Sequence, residues 1–188
     1  MTGAAAGQAV VPPGDTYVEG SAATEAAAIA RWGPSDTGIR VLQVHFDSPP
    51  DERPEFWGEA RHALRVWEEV SGAPLRFEIT SDPTAAQVEF RWIDRFPTSQ
   101  AGSTHRQLNE SGFIEHVTVT LAAAHSNGVP MSPEFVRLVA LHEVGHIVGL
   151  PHSENPGDAM HPGNRNLELS PRDIRSVEVL YRVPGEAP

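Results

Sequence analysis

The stretch Leu138–Glu154, LVALHEVGHIVGLPHSE, holds three of the chain's nine histidines. His142 and His146 stand four residues apart. On a helix that spacing stacks two side chains one turn apart with a rotation of only about 40°, so both imidazoles point the same way. They share a face with Phe135, Leu138 and Gly145, apart from an apolar stripe of Val136, Ala140, Val144 and Ile147. Two ligands on one straight helix cannot enclose an ion, so the chain must leave the helix and return. Gly149 accepts the left-handed conformation that ends helices. Pro151 prevents continuation, and His152 comes back as a third ligand. Three neutral imidazoles suit Zn²⁺ and leave a fourth position for water, whose pKa the ion lowers from roughly 16 to about 7. Glu143 lies about 100° round the helix from His142. It is read as the general base that takes the water's proton and returns it to the leaving amine, and not as a ligand.

The helix carrying this motif spans 133–148, with Ser132 as N-cap and Pro133 at the first helical position. An earlier helix is expected over 54–70, where Phe56, Ala60, Ala63, Trp67 and Val70 form one stripe. Strands are expected over 39–46, 75–79, 87–93 and 114–121. A short edge strand near 102–107 falls within the long loop PTSQAGSTHRQLNESG. A last helix over 171–182 opens with Ser170, Pro171 and Asp173 in the pattern of a capping box. Residues 1–30 are rich in Ala, Gly and Pro and read as an extension with one short helix near 22–31. Residues 31–188 are expected to form one catalytic domain, with an upper lobe over about 31–149 and a lower lobe over about 150–188.

The chain has 188 residues, a formal charge of −11 and no cysteine. The acidic balance and the lack of a basic cluster argue against a nucleic-acid partner. No run of eighteen apolar residues offers a membrane span. The absence of thiols removes disulfides, zinc–thiolate sites and a cysteine nucleophile. No charged segment leads into an apolar stretch at the N-terminus, so no signal peptide is read there.

HEVGHIVGLPH, 142–152, matches H-E-x-x-H-x-x-G-x-x-H, the long zinc signature of the metzincin metallopeptidases. Ser153 follows it, as in the matrixin branch, the family of the matrix metalloproteinases. GDAMHP resembles a Met-turn, with Met160 beneath the zinc and Pro162 two residues on. LSPRDIRSVEVLY resembles the closing matrixin helix, and RWGPSDTGIRV the start of a matrixin domain. The resemblance covers about 31–182 and is to a minimal form of bacterial type. It implies an α+β, zincin-like fold: a twisted mixed sheet, two long helices, and a small C-terminal lobe with the Met-turn and final helix. It further implies a zinc endopeptidase with one catalytic ion, an extracellular or periplasmic location, and a protein or peptide substrate; a monomer is expected. Substrate would lie extended between an upper edge near 101–107 and a wall over Pro162–Arg165. Arg165 would close the pocket there, attract an acidic side chain, or point into solvent.

The chain departs from the family pattern at several points. Of the extra structural zinc and calcium ligands that the family carries, only His105 and His116 have counterparts, and the His-x-Asp pair is missing. No complete second zinc site is expected, and calcium has no clear motif. Asp15, after Gly14 in PPGDTY, is a candidate aspartate latch on the zinc or an ordinary turn residue. Pro162 stands where some branches place a tyrosine ligand, which favours three histidines plus water. His161 is either a loop residue or a fourth imidazole nearby. Phe56, Trp67 and Trp92 are assigned to the core. The rival reading is a catalytically silent, zinc-held domain that binds a protein partner through its cleft.

Overall fold

The computed structural model describes residues 16–18, 29–50, 53–70 and 72–182. Alternating apolar residues build its sheet, because successive strand side chains face opposite sides. Leu42, Val44 and Phe46 are buried in β1 (Arg40–Phe46). After helix α1 (Glu55–Val70) come β2 (Leu75–Ile79), β3 (Val88–Ile93), β4 (Gly102–Leu108) and β5 (Ile114–Ala122). Val88 and Phe90 of β3, and Val117, Val119 and Leu121 of β5, continue the buried face. The strands lie in the order β2-β1-β3-β5-β4. All neighbours are parallel except β4, which runs antiparallel to β5 at the end of the sheet. The expected edge strand is therefore present, and among the described residues its outer side has no strand neighbour.

Two long helices, α1 and α2 (Pro133–Val148), pack against each other and the sheet. Phe56, Ala60, Ala63 and Trp67 of the α1 stripe are completely buried. The Trp67 indole donates to Leu141 O at 2.8 Å, locking α1 to α2. Ser132 caps α2 by accepting from Phe135 N at 3.1 Å. At the other end Gly149 adopts φ 117°. A Cβ there would also lie 1.9 Å from Ala30 O, so glycine both turns the chain and admits the segment around Ala30.

The last helix, α3, spans Pro171–Leu180, two residues shorter than expected. Tyr181 leaves helical geometry at ψ 6°, and its hydroxyl donates to Val148 O at 2.8 Å, tying the helix end to α2. The capping box is formed, with Asp173 reaching back to the Ser170 N–H. Of the expected Ala-rich helix, residues 22–28 lie outside the described residues. Residues 29–31 are not helical, since they serve the end of α2: Ala30 N–H is directed to Gly149 O, and the neighbouring Trp32 indole donates to Ile147 O. Trp32 is thus a core residue. No described helix is long and apolar enough to cross a membrane.

Candidate active site

Helix α2 and the turn that follows it bring three imidazoles together. The rings of His142, His146 and His152 have centroids 4.8–5.1 Å apart. Each offers a nitrogen within 4.8 Å of the others, and no other group of three or more metal-binding side chains is that close among the described residues. His142 Nδ1 lies 2.9 Å from Ala159 O, and His146 Nδ1 lies 2.8 Å from Leu150 O. A carbonyl oxygen only accepts, so both Nδ1 atoms carry hydrogen and both Nε2 lone pairs are left for a ligand role. His146 Nε2 and His152 Nε2 stand 3.2 Å apart. Nitrogens about 2.0–2.1 Å from a tetrahedral zinc are separated by roughly 3.3 Å, so the donor set fits that ion. Burial pushes the His142 imidazolium down to about 4, against the pull of Ala159 O, and His152 and His161 add to the effect. Burial likewise holds His146 well below the ordinary histidine range. Both rings are neutral near pH 7, as metal binding requires.

The segment after His152 packs against the helix that carries these rings. Met160 is completely buried. A Cβ on Gly145 would lie 2.1 Å from its sulfur and 2.9 Å from Trp67. Gly145 therefore packs against Met160 and Trp67.

Two buried carboxylates organise the turn that carries Met160. Asp158 accepts from Ser153 Oγ, from Ser170 Oγ at 2.7 Å, and from Arg172 at 3.3 Å. Ser153 directly follows His152, so this contact orients the third ring. Asp173 accepts Ala159 N–H at 2.8 Å and the Tyr17 hydroxyl at 2.7 Å. Ala159 thus joins α3, through its N–H, to His142, through its carbonyl. Tyr17 lies within the stretch read as an extension. It is buried, and its N–H also donates to Ser176 at 3.1 Å. Burial, first, and the nearby Asp173 push its hydroxyl well above the usual tyrosine range. Sequence reading assigned Asp173 only a capping role and missed Asp158. Their signal is an Asp two residues before Met160 and one at the third position of the following helix.

A cleft of about 770 Å³ runs past the imidazoles. Ser99–Thr104 line its upper side, Phe135, Leu138 and Val139 its depth, and Pro162–Arg165 its lower wall. Arg165 is exposed on that wall. Asn164 is buried and fixes the wall through hydrogen bonds to Asn166 N at 2.6 Å and Asn166 O at 3.1 Å, a role not foreseen. Glu143 lines the cleft beside His142 and His146 but is only 5% exposed. Its carboxylate accepts from Thr104 Oγ1 at 2.6 Å. Burial pushes the carboxyl up to about 7, against the opposing effect of the Thr104 bond.

The remaining candidates stand elsewhere. His161 Nδ1 accepts from Gly163 N at 3.0 Å within the wall turn. His105 is exposed on β4, and His116 faces Glu89 across 3.2 Å. Asp15 lies outside the described residues.

The chain is 30% identical over 163 residues to stromelysin-2 of Rattus norvegicus, an alignment covering 80% of this chain and 33% of that protein. It is 27% identical over 176 residues to stromelysin-1 of Equus caballus, covering 84% and 34%. A shorter match, 46% over 48 residues, joins 23% of the chain to 18% of matrilysin of Felis catus. The chain spans about a third of the length of the two stromelysins. The α+β architecture, with a five-stranded mixed sheet and the long helices over the cleft, agrees with this kinship. The matrixin family model matches residues 32–182, and the chain belongs to the matrixin family.

Proposed function

We propose that this protein is a zinc-dependent endopeptidase acting on extended peptide segments. The observation that carries the reading is the convergence of three imidazoles beside a buried carboxylate in an open cleft. His142, His146 and His152 would hold the ion. Bound zinc supplies Lewis acidity, polarising the scissile carbonyl and acidifying a water. Glu143 takes the water's proton and hands it to the departing amine nitrogen. A carboxyl pushed up to about 7 is suited to both transfers near neutral pH. The apolar floor at Phe135, Leu138 and Val139 accepts a side chain, while the unpaired outer side of β4 offers main-chain groups to an extended peptide. Arg165 favours an acidic group at the mouth of that pocket. The upper lobe over about 31–149 and the lower lobe over about 150–188 form one catalytic domain. Location outside the cytoplasm and a monomeric state complete the reading.

The test is cleavage of an unbiased peptide mixture at neutral pH by wild type and by Glu143→Ala, both zinc-loaded. Internal cuts by the wild type alone are expected. Zinc-loaded wild type that cuts nothing, with or without residues 1–30, would leave the cleft as a partner-binding surface.

A further inference from the structure

The carboxylate of Glu143 is set by strand β4 as well as by its own helix. Gly102 and Thr104 are two apart, so they face the same side of β4, and that side lies on Glu143. Thr104 Oγ1 is 2.6 Å from Glu143 Oε2 and 3.3 Å from the Glu143 carbonyl oxygen. A hydroxyl has one proton, and the shorter contact has the length of a charge-assisted O–H···O⁻ bond. Threonine is stiff at χ1, and Thr104 is held in register against Val119 of β5. The donor is therefore fixed before substrate arrives. The other oxygen depends on Gly102. A Cβ there would lie 2.6 Å from Oε1, 2.6 Å from Val139 Cγ1 and 2.8 Å from Glu143 Cγ. Glycine within a strand commonly marks such close approach. Thr104 is the only hydrogen-bond donor to this buried carboxylate among the described residues.

We infer that Thr104 is a positioning residue for the catalytic carboxylate: its hydroxyl holds Oε2, and the bare Cα of Gly102 leaves room for Oε1 to face the reacting water. The inference rests on the reading of Glu143 as general base. It also gives β4 two duties, since the strand that offers its edge to substrate is the strand that aims the base.

The experiment compares Thr104→Val, which keeps the shape and loses the donor, with Thr104→Ser, which keeps the donor. Zinc-loaded proteins are assayed on an internally quenched peptide, with zinc content and unfolding midpoint measured alongside. Thr104→Val should lower kcat about tenfold or more, the loss expected for a hydrogen bond to a charged group. KM should stay within about twofold, because the bond touches no substrate atom. Thr104→Ser should recover most of kcat. Gly102→Ala should lower kcat with Thr104 intact. A second readout needs no metal: in zinc-free protein labelled at the Glu side-chain carboxyl carbon, the resonance lost in Glu143→Gln should move in Thr104→Val and return in Thr104→Ser. Wild-type kcat in Thr104→Val, while Glu143→Gln is inactive, overturns the positioning role alone. Full activity in Glu143→Gln overturns the reading of the base on which the inference rests.

Discussion

Gly145→Ala sets two physical effects against each other. In an exposed helix interior, alanine in place of glycine gains about 1 kcal/mol, because glycine loses more backbone entropy on folding. At this position the new methyl carbon would stand 2.1 Å from Met160 Sδ, 3.1 Å from Met160 Cε and 2.9 Å from Trp67 Cζ2. Carbon contacts settle near 3.5–4.0 Å, so the overlap with sulfur exceeds about 1 Å. Neither neighbour can swing aside into solvent, since Met160 and Trp67 are both completely buried. Trp67 is bonded to Leu141 O, and the Met160 carbonyl accepts from Ser153 N at 2.9 Å. Overpacking of this kind costs about 1–3 kcal/mol, and the depth of overlap places it at the upper end. The clash wins, and the net loss is about 2 kcal/mol. Urea unfolding of the zinc-loaded variant, with the slope checked for two-state behaviour, measures it. Met160→Ala should relieve the clash while opening a cavity that costs about 2–5 kcal/mol by itself. The double variant should therefore lose less than the sum, by about 1–3 kcal/mol. A Gly145→Ala protein as stable as wild type, or strict additivity in the pair, would refute the placement of Met160 against α2.

Three further outcomes follow from the site. In zinc-free protein, Glu143 is raised from 4.5 to about 7, so its contribution to stability is present below pH 4.5 and lost as pH rises to 7. Replacing it with Gln should therefore improve stability relative to wild type over that window by about 3 kcal/mol, read by urea melts in chelator at pH 4.5 and 7.5; a constant difference would contradict the buried carboxyl. His142 works oppositely, because its pKa is lowered from 6.5 to about 4, and its share of stability is lost as pH falls through that interval. Zinc held at about a thousand times its Kd should add roughly 4 kcal/mol, so chelation should lower Tm by roughly 8–16 °C at this size; an unchanged melt would argue against a metal site. Tyr17→Phe removes one of the bonds to Asp173 and should cost about 1–2 kcal/mol while leaving the Ala159 contact to carry His142; an unaffected unfolding midpoint would show that residues 16–18 are not docked on α3 in solution.

The helices and strands were legible because their local signals agree. The motif helix is bounded by Ser132–Pro133 and by Gly149, and its observed limits coincide with those signals. Strands β1, β3 and β5 carry buried residues at period two, and even the edge strand in the long polar loop falls where expected. One boundary was misplaced, for a reason distant in sequence. The end of α3 depends on Tyr181, whose hydroxyl bond to Val148 O lies 33 residues away in sequence.

The candidate metal centre was legible for a related reason: a three-histidine site within eleven residues is a local object, dictated by helix pitch and one left-handed glycine. Thr104, Asp158, Asp173 and Tyr17 were not, since each acts only once distant segments meet. Tyr17 and Asp173 are 156 residues apart, and Thr104 and Glu143 are 39 apart. By itself the sequence determined the ligand spacing, the place where the helix must end, and the strands that flank it. Only the tertiary structure decided what stands against each of these groups. Burial and hydrogen-bond geometry are set by contacts across the fold, and those contacts hold His142 and His146 neutral, raise the Glu143 carboxyl, and place Thr104 and Met160 on either side of the site.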